Sequence, residues 1–331
     1  MGLKPQPSVL TLGNFDGPHV GHRAILRRAR ELAAPAGASV VAVTFDPPPV
    51  RLLRPGAEPP QITTIAERTA RLRDAGADAV EVLSVTPELL GKSAEGFVAD
   101  LVERFAPVAV VEGPDFRFGH RRAGDMDLMA ELGKRYGFTA VVVPPVEAVL
   151  GDQTVQTVSS SLVRWLVGRG RVEDAAACLG RPFALTAEVV KGEQRGRTIG
   201  VPTANLDPNT LAPMIVPADG VYAAWATVEP RETGEPDAWP AAVSIGVKPT
   251  FGNKILTVEA HLIDVDDGPD LYGRRLTLRF ARWLRDQYPF PGVGALRAQL
   301  GRDIDSARRV LTADRPPPGP TPGPTPGPIH A

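Results

Sequence analysis

Two closely spaced histidines, His19 and His22, give the clearest chemical signal in the sequence. They occur in GNFDGPHVGH, residues 13–22, where an apolar, strand-like run gives way to a helical pattern. The N-terminus of a helix favours phosphate because it offers backbone N–H groups and a positive dipole. Imidazoles there can donate to phosphate oxygens during displacement at phosphorus. Gly21 between them leaves space for a nucleotide on the backbone, so the segment predicts a nucleotide site.

The histidine spacing is also compatible with a pair that only caps and packs a helix. A zinc site is disfavoured, because it would need further ligands and the other histidines are only His120, His261 and His330. The choice between phosphate binding and a structural role therefore depends on the other motifs.

A second anion-binding element is predicted in TVSSSLVR, residues 157–164. Ser160 and Ser161 are suitable helix N-cap residues, and Arg164 follows in the first turn of the predicted helix. The segment could be only a capped helix. Its hydroxyls, backbone N–H groups and guanidinium could also converge on a triphosphate, which together with the histidines would make a two-sided phosphate site.

The segment GEQRGRTIGVPTANLD, residues 192–207, combines glycines and arginines with a Pro-Thr-Ala-Asn sequence. Such a loop can bring backbone N–H groups close to phosphate. Thr203 and Asn205 offer uncharged oxygens that suit Mg²⁺. A glycine-rich turn is often only a turn, and the Thr-x-Asn pair is the feature that favours a binding site.

A carboxylate, Glu259, interrupts a strand that is otherwise rich in apolar residues. It is either a surface residue or a general base that takes a proton from a substrate hydroxyl in phosphoryl transfer from ATP. The sequence leaves both interpretations open.

The pattern of elements before residue 182 predicts an α/β domain. Short β-branched runs alternate with helical periodicity, as in a parallel sheet with crossover helices. The predicted strands are 9–12, 40–45, 79–83, 108–112 and 139–143, and the last four are apolar enough to be buried on both faces. The predicted helices are 22–32, 65–75, 94–105, 127–136, 160–167 and 172–179. Active sites of such sheets lie at the carboxyl ends of the strands, which places the histidine loop in the expected position.

The pattern changes after residue 183. Five or six alternating strand-like segments in about 100 residues predict a small antiparallel barrel, followed by a helix over 293–311. The last 17 residues, 315–331, contain eight prolines in a Pro-Gly-Thr repeat and are predicted to be disordered.

Composition narrows the class of protein. The net charge is −1, which argues against binding nucleic acid or an anionic membrane through bulk charge. The single cysteine, Cys178, excludes an intramolecular disulfide and is expected to be buried. No apolar run has the length of a signal peptide or membrane span, so we expect a cytoplasmic protein.

The motifs together resemble a known family. GNFDGPHVGH and VSSSLVR resemble the G-x-F-D-x-x-H-x-G-H and I-S-S-T-x-x-R elements of the nucleotidyltransferase superfamily. EGPDFRFGHRRAG resembles the flavin-side loop of bacterial bifunctional riboflavin kinase/FMN adenylyltransferases, also called FAD synthetases. PTAN, SIGVKPTFG, DLYGRRLTLRF and WLRDQYPF resemble the riboflavin kinase domain of the same family. The resemblance covers about residues 8–312.

The resemblance implies a Rossmann-like, parallel-sheet adenylyltransferase domain over 1–182 and a β-barrel riboflavin kinase domain with a C-terminal helix over 183–314. It implies a cytoplasmic enzyme that phosphorylates riboflavin with ATP and then joins the FMN to AMP from a second ATP, giving FAD and diphosphate. Mg²⁺ is the expected cofactor. We expect small molecules as partners and neither nucleic acid nor membrane.

The expected site residues fall into four groups. His19, His22 and Glu259 are the expected catalytic residues, Glu259 as the kinase base. Nucleotide and phosphate binding is expected of Gly13, Asn14, Phe15, Asp16, Gly21, Ser160, Ser161, Arg164, Gly196, Arg197, Gly200, Thr203 and Asn205. Thr203 and Asn205 are expected to hold Mg²⁺, and Asp115 and Phe116 to contact flavin.

The chain departs from the family pattern at two prolines. Pro48 stands where the family usually has the histidine of F-D-P-H-P, and Pro114 stands where an acidic residue usually precedes Asp115. Both remove a polar side chain, and Pro114 also removes a backbone donor. Two alternatives remain open: a kinase with a degenerate first domain, and a flavin- or nucleotide-binding regulator without turnover.

Overall fold

The computed structural model describes residues 6–192, 196, 200–228, 237–250, 253–265 and 270–313, which form two compact units. The first unit comprises the described residues up to 148 together with 155–160. The second comprises 149–154 together with the described residues from 161 onward. In these residues, no helix combines the length and the hydropathy needed to cross a membrane.

A five-stranded parallel sheet forms the centre of the first unit. Its strands are β1 (Ser8–Leu12), β2 (Ser39–Asp46), β3 (Ala79–Ser84), β4 (Pro107–Glu112) and β5 (Thr139–Val142). They lie in the order β3-β2-β1-β4-β5, and every neighbouring pair is parallel. The predicted α/β fold is confirmed.

The described residues of the first unit form six α-helices. They are α1 (Val20–Ala36), α2 (Pro49–Leu53), α3 (Ile65–Asp74), α4 (Pro87–Gly91), α5 (Ala94–Phe105) and α6 (Met126–Tyr136). Of these, α1, α3, α5 and α6 have buried apolar residues, whereas the short helices α2 and α4 have none. The capping box of Thr64 and Glu67 opens α3, with a 3.2 Å bond from the Glu67 N–H to the Thr64 hydroxyl. The short helices α2 and α4 were not predicted, because five residues are too few to show a helical period.

The prediction that strands β2 to β5 are all buried on both faces is wrong for two of them. β2 and β4 are mostly buried, whereas β3 and β5 are half exposed. β3 and β5 are the edge strands of the sheet, and each has a neighbour on one side only. Apolar composition alone does not distinguish an edge strand from a central strand.

The second unit is built around a closed antiparallel barrel. Its strands are β8 (Phe183–Val190), β9 (Ala204–Leu206), β10 (Gly220–Val228), β11 (Asp237–Thr250), β12 (Asn253–Leu262) and β13 (Arg275–Arg285). They close in the order β10-β11-β12-β9-β8-β13. Buried Phe183, Tyr222 and Phe280 lie together, with ring centroids 5.5 to 6.0 Å apart. The predicted small antiparallel barrel is confirmed.

In the described part of the chain, four helices complete the second unit. They are α7 (Ser160–Val167), α8 (Val172–Leu179), α9 (Pro208–Leu211) and α10 (Val293–Ala313). Of these, α7 begins at Ser160, the last described residue of the first unit. The predicted C-terminal helix is α10, which buries Ala307 and Leu311 against Ala223 and Ile263 of the barrel. Two short strands, β6 (Glu147–Val149) and β7 (Val155–Thr157), pair with each other on either side of the turn at 150–154; β7 and most of β6 belong to the first unit.

Three further predictions concern Cys178, the domain boundary and the C-terminal tail. Cys178 is buried in α8 as predicted, and desolvation raises the pKa of its thiol. The domain boundary at residue 182 stays a prediction; α8 and all of α7 except Ser160 belong to the second compact unit. The tail predicted at 315–331 lies outside the described residues.

Candidate active sites

The histidine loop joins β1 to α1 at the carboxyl edge of the parallel sheet. His19 is the N-cap residue of α1, and its Nδ1 accepts a hydrogen bond from the His22 N–H at 3.4 Å. His22 reciprocates through Nδ1, which accepts from the His19 N–H at 3.4 Å. The two imidazole rings are stacked, with centroids 3.6 Å apart. The pair therefore does cap the helix, as the structural alternative proposed.

This cap also determines where the imidazole protons lie. Because each Nδ1 accepts from a backbone N–H, the proton of a neutral ring is on Nε2, which becomes a donor. Desolvation, His19 and Arg68 together lower the pKa of His22 well below its usual 6.5. His22 is thus a neutral donor at neutral pH. Capping and phosphate binding are compatible, since they use different ring nitrogens.

Small residues in the loop make room for side chains of the loop itself. A Cβ at Gly21 would lie 3.1 Å from the His19 ring, and one at Gly13 would lie 3.3 Å from the Phe15 ring. Phe15 is buried, and its ring packs edge-on against His22 at 5.0 Å. The Asn14 carbonyl accepts a 3.1 Å bond from the Thr44 hydroxyl. The nearby His19 ring thus explains why residue 21 is a glycine, and this reason differs from the predicted space for a nucleotide.

Asp16 is buried beneath the loop and faces protein groups. Its carboxylate accepts from the N–H groups of Ile62 and Thr63 at 3.0–3.1 Å, and it pairs with the buried Arg68 guanidinium at 3.4 Å. Arg68 also donates to the Phe45 carbonyl at 3.4 Å. This network fixes the loop to the start of α3 and the end of β2. A direct contact of Asp16 with nucleotide stays a prediction.

The serine motif begins at the same place. The Ser160 hydroxyl donates to the Asp16 carbonyl at 2.7 Å, which joins the two predicted nucleotide motifs. The N-cap prediction for Ser160 and Ser161 is wrong, because α7 begins at Ser160 and Ser159 precedes it. Ser161 and Arg164 lie on α7 within the second unit.

An apolar cavity of about 480 Å³ lies in the first unit, and we call it the aromatic cavity. Phe45, Phe97, Phe116 and Phe118 line it, together with residues of α2 and α4. The rings of Phe116 and Phe118 are stacked with centroids 5.6 Å apart. The predicted flavin residue Phe116 thus lines a cavity suited to a flat aromatic ligand.

The other residues singled out near this cavity have different surroundings. Asp115 is exposed and is not among the residues that line the aromatic cavity. Pro48 is the N-cap residue of α2. The Pro114 carbonyl accepts a 3.4 Å bond from the Arg117 guanidinium. Both prolines therefore lie in the segments that border the cavity.

A buried acid in the first unit was missed by the sequence analysis. Glu112 ends β4, and its carboxyl accepts from the Thr11 hydroxyl at 3.1 Å and from the Leu12 N–H. Burial raises its pKa to about 8, so the group is mostly protonated at neutral pH. A charged residue at the end of the apolar run PVAVVE was the available signal.

In the second unit, the structure brings together Thr203, Asn205 and Glu259. The Thr203 hydroxyl donates to the Glu259 carboxylate at 3.4 Å, and the Asn205 amide donates to the Thr203 carbonyl at 3.4 Å. Strand pairing sets this arrangement, since Glu259 of β12 lies opposite Asn205 of β9. The fold thus brings together three residues that are separated by up to 56 positions, and their roles stay predictions.

Glycines before β9 allow the loop to approach this site. A Cβ at Gly192 would lie 2.5 Å from the Asn205 side chain, and one at Gly196 would lie 2.3 Å from the Val201 carbonyl. Gly200 has a φ of 79°, which favours glycine. The predicted phosphate ligand Arg197 lies outside the described residues.

Two cavities meet at Thr203, which lines both of them. The helix-side cavity, of about 360 Å³, lies between the barrel and α10 and is lined by Ser244, Glu259 and Leu296 among others. The turn-side cavity, of about 340 Å³, is lined by Val189, Pro202, Leu271 and Tyr272 among others. A ligand in each cavity would place its reacting end near Thr203 and Glu259.

Polar residues fix the wall of the helix-side cavity. Arg285 of β13 donates through Nε and Nη2 to the Asp303 carboxylate of α10, at 2.8 and 2.6 Å. Gln287 donates to the Ser244 hydroxyl at 2.9 Å and to the Ile245 carbonyl at 2.7 Å. These contacts join the barrel to α10 and to the segment that precedes it.

Comparisons with known proteins cover both units. A family model described as FAD synthetase matches residues 3–161, and one described as riboflavin kinase matches residues 179–311. The bifunctional riboflavin kinase/FMN adenylyltransferase of Escherichia coli K12 is 34% identical over 313 residues, which cover 93% of this chain and 94% of the relative. That of Pseudomonas fluorescens is 36% identical over 306 residues, 91% of this chain and 92% of the relative.

A solved structure is similar over the same length. It is named as a macrolide-efflux protein from Streptococcus pneumoniae, with 30% identity and a TM-score of 0.79. The similarity covers 93% of this chain and 95% of that one. The shared fold therefore extends over both units.

Proposed function

Because the chain belongs to the bifunctional riboflavin kinase/FMN adenylyltransferase family, we propose a site and a set of residues for each of two reactions. The protein phosphorylates riboflavin with ATP to give FMN and then joins FMN to AMP from a second ATP, giving FAD and diphosphate. Both domain models match, so neither a kinase with a degenerate first domain nor a regulator without turnover is supported.

The kinase proposal depends on one observation: Glu259 contacts Thr203 where the helix-side and turn-side cavities meet. Glu259 accepts the proton of the riboflavin 5′-hydroxyl as that oxygen attacks the γ-phosphorus of ATP, and ADP leaves. Catalysis then consists mainly of holding these two groups together at the junction.

The linings of the two cavities assign the substrates. Riboflavin enters the helix-side cavity, because this cavity contains Glu259 and is walled by apolar residues of α10 such as Leu296 and Leu300. ATP enters the turn-side cavity, which is lined by Pro202 and Thr203, and its phosphates extend toward Thr203.

Mg²⁺ is the proposed metal of the kinase site. The Thr203 hydroxyl and the Asn205 amide provide neutral oxygens beside the Glu259 carboxylate, which fits a small divalent cation that is also held by ATP phosphates. Among the described residues, no group of three His, Cys, Asp or Glu side chains is placed to hold a metal without substrate. The ion would neutralise phosphate charge during transfer.

The adenylyltransferase proposal places nucleotide phosphates at the histidine loop. His19 and His22 donate through Nε2 to the α-phosphate of ATP as the FMN phosphate attacks it and diphosphate leaves. Gly13, Asn14, Phe15, Asp16 and Gly21 shape this loop. Ser160, which donates to the Asp16 carbonyl, belongs to this proposed phosphate site, and the aromatic cavity with Phe116 holds the flavin ring. Ser161 and Arg164 stay predicted phosphate ligands.

The proposal also covers the domain bounds, the cellular location and the partners of the protein. Residues 1–182 are the proposed adenylyltransferase domain and 183–314 the proposed kinase domain; family models that match 3–161 and 179–311 support two domains in this order. The cytoplasm, which supplies ATP, is the proposed location. Nucleic acid and membranes are not proposed partners.

A time course tests the proposal. The protein is incubated with riboflavin, ATP and Mg²⁺, or with FMN in place of riboflavin, and the flavins are separated by chromatography. Glu259→Gln should abolish FMN formation and spare FAD formation from supplied FMN, whereas His22→Ala should do the reverse. Loss of both activities in a folded single variant would contradict the two-site assignment.

A further inference from the structure

His261 lies beside the proposed kinase base. It follows Glu259 by two residues on β12, so both side chains project from the same face of the strand. Both line the helix-side cavity. The sequence analysis considered His261 only as a possible metal ligand.

The His261 side chain contacts the turn that carries Thr203. Its Nδ1 lies 2.8 Å from the Pro202 carbonyl oxygen. A carbonyl can only accept, so Nδ1 carries the proton and His261 is the donor. Since Pro202 lines the turn-side cavity, this hydrogen bond joins the walls of the two cavities.

Among the described residues, strand pairing holds Thr203 on its C-terminal side. The ladder between β12 and β9 begins with Ala260 opposite Ala204 and continues with Glu259 opposite Asn205. Pro202 precedes that ladder and has no N–H to donate. In the part of the chain that the structure describes, the hydrogen bond from His261 to Pro202 therefore ties the N-terminal side of Thr203 to β12.

We propose that His261 is a positioning residue of the riboflavin kinase: it holds the Pro202 carbonyl so that the Thr203 hydroxyl stays at the junction of the two cavities. Glu259 and His261 both belong to β12. Glu259 contacts Thr203 and His261 contacts Pro202, so this one strand holds two successive residues of the turn. This inference rests on the proposed kinase site, and it assigns His261 no contact with the reacting atoms.

A matched pair of substitutions tests this role. Asn places an amide nitrogen where His261 has Nδ1, and Leu has nearly the same shape as Asn without a donor. The kcat and the KM values for ATP, Mg²⁺ and riboflavin are measured in the full chain, with FAD formation from FMN as an internal control for folding.

We expect His261→Leu to lower kcat/KM for ATP at least about tenfold and to raise the Mg²⁺ requirement, since displacement of a reacting group by about 1 Å can cost a factor of ~100. His261→Asn should recover most of this loss, and the KM for riboflavin should change less than about twofold.

Three results would overturn the proposal. The first is that both variants match the unsubstituted protein in kcat and in the KM for ATP. The second is that Asn is as damaging as Leu, and the third is that the KM for riboflavin alone changes. Glu259→Gln is assayed in parallel, because an active Glu259→Gln protein would refute the kinase site itself and not only the role of His261.

Discussion

Arg285 and Asp303 form a two-point ion pair across the wall of the helix-side cavity, with N–O distances of 2.8 and 2.6 Å. Arg285 belongs to β13 and Asp303 to α10, so the pair ties the helix to the barrel. Gln299 also donates to Asp303 at 2.8 Å. Because Asp303 is buried, loss of its charge leaves the arginine poorly compensated.

Asp303→Asn should therefore loosen α10 and raise the KM for riboflavin about tenfold, which corresponds to ~1.4 kcal/mol. The KM for ATP should stay within about twofold, because no residue of α10 is among the described residues that line the turn-side cavity. Asp305→Asn is the control, since Asp305 is an exposed residue of the same helix that pairs with Arg308. Equal changes in the KM for riboflavin in the two variants would argue against a role of Asp303 in holding α10 against the riboflavin cavity.

The buried pair of Asp16 and Arg68 should be needed for FAD formation. Arg68→Met removes the guanidinium that joins Asp16 to the end of β2, so the histidine loop loses an anchor. We expect adenylyltransferase activity to fall at least about tenfold while riboflavin phosphorylation is retained. Arg73→Met, an exposed position on the same helix, should leave both activities unchanged. An Arg68→Met protein with full adenylyltransferase activity would exclude this anchoring role.

Glu112 should make the stability of the first unit depend on pH. Its pKa is about 8 in the folded protein and near 4.5 when exposed, so folding favours its protonated form. The stability that it contributes is present below pH 4.5 and is lost as the pH rises toward 8.

Glu112→Gln removes this ionisation and keeps an oxygen that can accept from Thr11 and Leu12. As the pH rises from 6 to 8, the free energy of unfolding of the variant should increase by on the order of 2 kcal/mol relative to that of the unsubstituted protein. Urea unfolding followed by circular dichroism measures this difference. Glu131→Gln, an exposed position on α6, is the control and should show no such gain. A difference that is constant with pH would refute the raised pKa.

The role of His22 as a neutral donor predicts a specific rescue. Gln can place an N–H near the position of the histidine Nε2, so His22→Gln should retain more FAD formation than His22→Ala, for which we expect a loss of about 100-fold. The lowered pKa of His22 means that its protonation should not reduce the rate between pH 6.5 and 8. Equal activity of the Gln and Ala variants would show that the donated hydrogen bond is not what matters.

Local patterns predicted most of the fold. The strands and the longer helices were expected within a few residues of their observed ends, because apolar periodicity and caps such as Thr64 with Glu67 act over three or four positions. The same signals did not reveal that β3 and β5 are edge strands, since edge position depends on pairing order rather than composition.

The candidate sites were predicted where a motif is contiguous and missed where contacts are distant in sequence. The histidine loop and the Thr-x-Asn pair could be identified from the sequence, because the residues of each motif are close together in the chain. Arg68 is 52 residues from Asp16, Glu112 is 100 residues from Leu12, and His261 is 59 residues from Pro202. No local pattern encodes such partners, so only the fold identifies these residues.

The closure of the barrel has a consequence for its dynamics. The barrel closes through β9, which has three residues and pairs with β8 and with β12 at two positions each, whereas the other strands have eight or more. This short seam should open first in local unfolding and should show the fastest amide hydrogen exchange among the barrel strands. Asn205 lies within it, so a nucleotide that binds there would hold the seam closed and raise the melting temperature of the barrel.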